Sequence, residues 1–526
     1  VVEDGILQLG VNSRQLATLS TDNNVIFGPD ILRPLPAASG GVLSASIEVK
    51  SGTAQNDQLL YGSGDVDITK LKELRVDVLQ SNTANEIDGK SFTIVAAQNG
   101  AVAGTIQRSS QTIDVVEGGN VPALVDFTVV DLNTSGKPDI TLLADSDLAH
   151  LSKHSSLVSR NHKSSAALLT NAAKAGHAQT INSLNSLTNA QVDPHLNTIH
   201  PEPYSSYMTV SLENADLAIN TVLDHASKVR GFSNGNVQEV EDNISGSRLW
   251  LAMNYHEGDI DGDNDLGDFS YNLSSIIMGK DFSASTEQTI GAYFSFSQLD
   301  MNEHDNADQD FDGEAYHLGT YYNHANIKGW DFRGVAGYSY ANHDSERQVT
   351  LSNSKSKASA SFDSHSFYVG VASAISVFKN GWVDLSPELG FKYIYYTQES
   401  IKESENTGLG LNIDSADAQA VVASAGLNAH FASLGKSSLY PMAFLRFEHD
   451  FYANSNSEHE IDAALQANPN SSQKFVGQNR GENSVIAGVG LGSDLSSALS
   501  VRGSLEAVEH SNGSEWGGSL YLEYQW

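Results

Sequence analysis

From Ser247 to the C-terminus, apolar and polar residues alternate with period two. Leu249, Leu251, Met253 and Tyr255 share one face of the first run. Ile290, Ala292, Phe294 and Phe296 alternate with Gly291, Tyr293, Ser295 and Ser297, and Tyr316, Leu318, Thr320 and Tyr322 repeat the pattern. Such alternation predicts strands of a sheet with one apolar and one polar face. Further runs lie near 269–282, 332–341, 366–378, 385–397, 418–432, 439–451, 484–494 and 499–509. With the final run, 515–526, they make about twelve strands. That last run sets Leu520, Leu522, Tyr524 and Trp526 against Ser519, Tyr521, Glu523 and Gln525, and it ends on the aromatic ring of Trp526.

The links between these runs are sorted by length. Those at 282–288, 323–329, 378–381, 432–438 and 493–498 read as short turns. Those at 256–268, 300–313, 343–362, 398–415 and 452–481 read as long loops, the Ser-rich stretch 352–364 among them as a flexible one; 510–514 is short. An even set of antiparallel strands with short turns on one side and long loops on the other is the signature of an outer-membrane barrel, which a soluble sandwich has no reason to show. If the apolar set faces lipid, then Glu388, Lys392, Arg446, Glu448, Arg502, Glu506 and Glu523 line the pore. The opposite assignment would cost about 2–4 kcal/mol for each charge near the midplane.

Upstream the pattern changes twice. Residues 1–151 hold short β-like runs separated by Gly and Asn, such as Leu74–Val78, Phe92–Val95 and Leu124–Val129. Close spacing of this kind suits a stacked parallel β-helix or a sandwich. Residues 152–205 take on helical spacing (Leu168, Leu169, Ala172, Ala173, Ile181, Leu184), and Pro194, Pro201 and Pro203 then read as breaks in a linker. Residues 206–232 form the next helix, with Gly231 as its cap and with Glu213, Asn214, Asp216 and Asn220 spread over several sides. A barrel of this strand number leaves a bore about as wide as a helix with its side chains, roughly 10–12 Å, so this segment fits as a pore helix. The barrel itself spans 245–526.

Composition narrows the partners. The formal net charge is −34, which argues against nucleic acid and against docking on an anionic membrane surface. No cysteine is present, so no disulfide can lock a chain that crosses a membrane unfolded. No apolar run approaches the roughly 18 residues of a transmembrane helix, a test that barrel strands escape. Val1-Val2-Glu3-Asp4 does not open like a signal peptide, and the expectation is a processed product or fragment with more chain upstream.

The order of these parts resembles the C-terminal part of an autotransporter of type V secretion. Arg248-Leu249-Trp250 resembles the opening of that family's first barrel strand, and 520–526 resembles its terminal signal for the barrel-assembly machinery. Asp57-Gln58-Leu59, Gly64-Asp65-Val66 and 89–95 resemble the end of a β-helical passenger that helps the rest to fold, and 184–207 resembles the helical region before such barrels. The resemblance implies an all-β fold: a twelve-stranded antiparallel transmembrane β-barrel with a pore helix, preceded by a β-helix-like passenger end and a helical linker. It implies an outer-membrane translocator of a Gram-negative bacterium that exports, folds and anchors its passenger, with residues 1–151 at the cell surface. The implied partners are the lipid bilayer, the barrel-assembly machinery, periplasmic chaperones and the chain's own upstream passenger. A barrel-anchored adhesin and an outer-membrane enzyme with a site at the barrel mouth are the alternatives. Some relatives cut themselves inside the pore at an Asn backed by acidic residues. Glu213-Asn214 is the candidate here, although the paired Asn of those relatives is absent, and the expectation is no enzymatic activity.

Other motifs carry less. Asp308, Asp310, Asp312 and Gly313 begin like a calcium loop, but the twelfth position is Gly319 rather than Glu. Asp259, Asp261, Asp263 and Asp265 lack the loop's Gly and Glu. Both stretches read as solvated acidic loops, and neither a metal nor a cofactor is expected. His256-Glu257 does not extend to a zinc-binding helix motif, and no nucleophile elbow or phosphate-cradling loop is present.

Overall fold

The computed structural model describes residues 6–9, 18–21, 25–26, 41–62, 66–67, 71–79, 81–97, 106–107, 113–131, 139–227, 248–262, 266–284, 288–304, 308–325, 330–433, 439–453 and 459–526. Two compact units emerge. One is Val1–Val158 with Ser165–Thr198 and Thr350–Lys355, the other Ser159–Ser164 with Ile199–Val349 and Ser356–Trp526.

In the first unit the strands stack in parallel. Ile6–Gln8, Gly41–Lys50, Leu71–Val78 and Asp114–Glu117 form one stack, with Val42 opposite Ile6, Leu43 opposite Leu74, and Leu74 opposite Val115. Thr18–Thr21, Gln58–Tyr61 and Ser91–Ala97 form a second, and Val25–Ile26, Val66–Asp67 and Ile106–Gln107 a third. Three parallel stacks visited in rotation are a β-helix, which settles the choice the spacing leaves between β-helix and sandwich. The inward residues Leu43, Ile47, Leu74, Val76, Leu59, Phe92 and Ile94 are fully buried. The second stack ends in antiparallel strands Ile140–Ser146 and Val125–Asp131, which continue the sheet, with the Phe92 and Phe127 rings 6.3 Å apart, edge to face. Helices Arg160–Lys174, Ala178–Ser186 and Asn189–Asn197 follow.

The second unit is a closed sheet. Its wall strands are β1 (Arg248–Ile260), β2 (Phe269–Ala284), β3 (Gln288–Glu303), β4 (Asp310–Ala325), β5 (Trp330–Leu351), β6 (Ser354–Ile375), β7 (Val383–Gln398), β8 (Ala416–Phe431), β9 (Leu439–Asp450), β10 (Asn483–Asp494), β11 (Leu499–His510) and β12 (Gly513–Gln525). Each pairs antiparallel with the next, and β12 closes on β1 from Ile260↔Gly513 to Arg248↔Gln525, giving a barrel of 12 strands. A two-residue stub, Phe378–Lys379, pairs with β7 beside the wall. Closure leaves no free edge, so every wall strand is paired on both sides.

Several loops expected from the sequence are strand. The stretch 343–362 lies in a hairpin of two 22-residue strands, β5 and β6, turning at Ser352 with φ 54°. The Ser-rich run 352–364 is therefore mostly strand, not a flexible loop. Its alternation is between small inward residues (Ala358, Ala360) and polar outward ones (Lys357, Ser359), a period that a search for apolar faces passes over. Likewise β1 runs on to Ile260, β3 to Glu303, and β4 begins at Asp310. The loops 398–415 and 452–481 contribute a four-stranded sheet of their own, ordered Ile401–Lys402, Leu411–Ile413, Glu460–Leu465, Gln473–Val476.

The prolines also act differently from expectation. Pro194 lies within helix Asn189–Asn197. Pro201 caps, and Pro203 sits in the first turn of, the 25-residue helix α1 (Glu202–Ala226). A first-turn proline gives up only an N–H that has no partner in the helix, so it starts this helix rather than breaking the chain. The helix accordingly begins four residues before the expected 206. Its expected end at 232 and the Gly231 cap lie outside the described residues.

Candidate functional site

The outer wall of the barrel is apolar in a band. Leu249, Ile276, Phe294, Leu318, Val369, Leu389, Leu445, Val489 and Leu505 are exposed on it. Along β5 the outward residues run Trp330, Phe332, Tyr338 and Tyr340, then turn polar at Asn342, Asp344 and Glu346. Aromatic rings at the band's rims, such as Tyr255 beside Trp516 and Trp330 stacked on Phe332, sit where a bilayer's polar boundary would lie. Leu520, Tyr524 and Trp526 point outward with this band and Leu522 is half-buried. Trp526 stacks near Tyr524, and the Lys280 ammonium lies 5.5 Å from its ring.

The inner wall is polar and α1 fills it, nearly every residue of the helix being buried. The helix carries Glu213, Asp216 and Asn220 at helical spacings of three and four, so that they lie along one face. Lys392 of β7 reaches Asp216 at 2.7 Å and Glu448 of β9 at 3.0 Å. Arg446 donates to Asn220 at 3.2 Å and lies 3.6 Å from Glu448. Arg480 binds Glu213 at 2.5 Å and approaches Asp450 at 3.7 Å. These charges are out of water, and each depends on its partner: removing one member of such a pair costs about 3–5 kcal/mol.

Toward the short-turn side the contacts change type. His225 stacks on Trp250 with ring centres 4.2 Å apart, and its two nitrogens face Asp281 at 3.4 Å and Glu523 at 3.2 Å. Arg248 completes the group at 2.9 Å from Asp281. Gly279 and Gly291 make room here, because a Cβ at either would enter the Trp250 or Tyr321 ring. Arg333 donates to the Leu223 carbonyl at 3.0 Å, setting a cation at the helix C-terminus where the dipole favours it. At the other end Glu202 accepts from the Gly267 N–H at 2.6 Å, in the loop between β1 and β2, and the Tyr204 hydroxyl meets Glu403, which Arg347 clamps with two bonds of 2.7 Å.

The predicted pore residues thus fall into separate groups. Lys392, Arg446 and Glu448 come together around Asp216 and Asn220. Glu388 pairs instead with Arg333 and accepts from Asn428 at 3.1 Å. Glu506 faces His256 at 3.4 Å, Glu523 faces His225, and Arg502 lies over the Tyr521 ring at 4.1 Å, beside a gap that Asp224 also lines. Sequence reasoning missed Asp281 and Arg333, although both sit at inward positions of alternating strands, and it missed Arg480, which lies in a loop with no period to reveal it. Asn214 donates to His317 at 3.1 Å, and His317 continues to Tyr368 at 3.1 Å.

The acidic motifs do not converge. Asp310 and Asp312 are outward residues of β4, spaced as alternate strand positions rather than wrapped as a loop. Asp263 and Asp265 lie outside the described residues. Among the described residues no group of three or more His, Asp or Glu is placed to hold a metal ion.

The direction of α1 gives the site its meaning. Its N-terminus meets the long-loop side and its C-terminus the short-turn side, where β1 begins. In outer-membrane barrels the short turns are periplasmic and the longer loops external. The chain therefore passes from outside, through the bore, to the first wall strand.

Residues 249–506 match the family model of the autotransporter β-domain. Solved structures similar to the chain include the translocator domain of autotransporter NalP from Neisseria meningitidis, with 14% identity, a TM-score of 0.48, and coverage of 61% of this chain and 99% of that one. The β domain of the Bordetella autotransporter BrkA shares 12% identity at TM-score 0.38, covering 53% of this chain and 98% of its own. The transport unit of AIDA-I from Escherichia coli shares 13% at TM-score 0.36, covering 59% and 98%. A comparison with curated proteins finds no match. On the family match and the closed, helix-filled barrel, residues 249–506 are an autotransporter β-domain, and the chain carries an outer-membrane translocator, the unit that exports a passenger from a Gram-negative cell.

Proposed function

We propose that the helix-filled barrel is the state reached after export, with residues 1–151 acting outside as a stem on which the passenger folds. The direction of α1 carries this reading: whatever precedes Glu202 in the chain has passed the bore. The outward Leu520, Leu522, Tyr524 and Trp526, on the strand that closes the sheet, are the surface we assign to the barrel-assembly machinery, after delivery by periplasmic chaperones.

The translocator acts without cutting its own chain. Self-cleavage at Asn214 needs a carboxylate free to act on its side-chain amide. The flanking carboxylates are both committed, Glu213 to Arg480 and Asp216 to Lys392, and the amide itself is held in a hydrogen bond to His317. Mass measurement on detergent-extracted, heat-modifiable chain checks this. An unbroken chain across Asn214–Ala215 is expected, and a break there would overturn the reading.

A further inference from the structure

Strand Gln473–Val476 is the outermost of the loop sheet. On one side it pairs with Glu460–Leu465, Phe475 lying opposite Ile461 and Gln473 opposite Ala463. Its other edge would present bare main-chain groups, and these are taken by the first turn of the helix that begins at Arg160. The Asn161 amide donates to the Val476 carbonyl at 2.9 Å and accepts from the Val476 N–H at 3.1 Å. That is the two-bond exchange a neighbouring antiparallel strand residue would make. Ser164 donates to the Lys474 carbonyl at 2.8 Å, two residues along the same edge.

Covering an edge is a common protective device. Here the cover is also tied to the plug. The Asn161 nitrogen donates at 2.8 Å to Glu202, the first residue of α1, whose other oxygen holds the Gly267 N–H. Asn161 and Glu202 are 1% and 2% exposed, so the junction excludes water. A buried polar junction with its partners in place is costly to open, because opening takes the Asn161 bonds from the main-chain groups of Val476 and from one oxygen of the Glu202 carboxylate.

We propose that Ser159–Ser164 is an external foothold: a short stretch of exported chain gripped at the barrel mouth by the edge of the loop sheet, which keeps the chain from sliding back while the residues before it are still crossing. The proposal rests on the translocator function. With the barrel fixed in the membrane and α1 spanning its bore, the chain nearest α1 is the first to reach the outside if the passenger emerges as a loop. The grip reads the Asn161 amide, the Ser164 hydroxyl and main-chain groups, so it can close as soon as 159–164 emerge, before any upstream rung has folded. No energy source is needed outside the cell. Motion in one direction is kept because the reverse step must break a dry junction.

The absence of cysteine lets the order of events be read directly. Arg160→Cys with Lys474→Cys places thiols on two exposed side chains that both reach Glu460, and leaves the Asn161 bonds intact. A short bis-maleimide is added to intact cells during a pulse-chase, and exposure of residues 41–146 to external protease is followed in parallel. The 160–474 crosslink is expected before the stem becomes accessible. A crosslink that forms only after the stem is fully exposed overturns the proposal. Asn161→Leu provides a second reading: stem exposure slowed several-fold with heat-modifiable migration of the barrel unchanged. Export by Asn161→Leu at the unsubstituted rate also overturns the foothold, whereas a stem that never reaches external protease in the unsubstituted chain sinks the translocator reading itself.

Discussion

The β-helical stem and the barrel both use strands with two unlike faces, and they turn those faces in opposite directions. In the stem Leu43, Ile47, Leu74 and Val76 point inward, while the ion pair of Glu73 and Arg75 lies on the surface with side chains 17% and 46% exposed. In the barrel Leu249, Phe294 and Leu318 point outward, and the ion pair of Lys392 and Glu448 lies inside with both side chains 3% exposed. Period two therefore reports that a sheet has two environments without saying which is which. The charges decide that. Where ionic side chains meet water on the outside, the greasy face is a core, and where they meet one another around a central helix, the greasy face is a membrane surface.

The contrast predicts unequal consequences for the two ion pairs. Lys392→Met removes the cation that bridges Asp216 and Glu448, leaving only Arg446 at 3.6 Å from Glu448, and is expected to destabilise the barrel by about 3–5 kcal/mol. Arg75→Ala, which breaks the exposed pair, is expected to leave stem stability unchanged within measurement error. All five tryptophans, Trp250, Trp330, Trp382, Trp516 and Trp526, belong to the barrel, so denaturant titration followed by tryptophan emission reports that unit alone. A Lys392→Met titration that overlays the unsubstituted one would show that the lumen is wet enough for the pair not to matter.

A charge placed on the outward face sharpens the same comparison with a smaller effect. Leu318 is 64% exposed on the barrel wall and Val116 is 43% exposed on the stem. Leu318→Arg is expected to cost about 2–4 kcal/mol in lipid, while Val116→Arg stays within about 0.5 kcal/mol. Equal, small effects at the two positions would mean that the Leu318 face meets water. Refolding into vesicles, with the heat-modifiable fraction as readout, measures the first. Urea-dependent pulse proteolysis measures the second.

Much of this was legible in the chain, and what was not has physical causes. The barrel strands and their closing partner were readable because a wall between lipid and a polar bore enforces strict alternation, from Leu249–Tyr255 to Leu520–Trp526. The upper halves of β5 and β6 were not. Beyond the apolar band the outer face of the hairpin turns polar and its buried inner face mixes small and polar residues (Ala358, Ala360, His343, Ser345) with the apolar ones, so 343–362 lost the apolar signal while keeping the strand. Pore residues on the wall followed from alternation, but their partners did not. Asp216 and Glu213 sit on a helix whose faces are all polar somewhere, and Arg480 acts from a loop. The rung order of the stem was hidden because its rungs differ in sequence, leaving only spacing to read.

The smallest predicted effect separates the units by pH. At the end of the stem's first stack, Glu117 is half-buried, and burial, together with the nearby Asp126 carboxylate, pushes it up to about 7, against the pull of the Phe127 N–H that it accepts at 3.2 Å. A carboxyl raised in the folded state binds its proton more tightly there than in the unfolded chain. Its stabilising contribution is complete below about 4.5, and it fades as pH rises until it is gone above about 7. The loss amounts to about 1–2 kcal/mol once solvent screening of a partly exposed group is allowed for. Glu117→Gln keeps an acceptor for Phe127 and removes the titration. It is expected to flatten the pH dependence of stem stability between pH 4.5 and 7, with a gain at pH 8, in pulse proteolysis across that range. The tryptophan-reported transition of the barrel should not move. A stem whose stability in the Gln variant still falls over the same interval would place the titrating group elsewhere and remove Glu117 from the account.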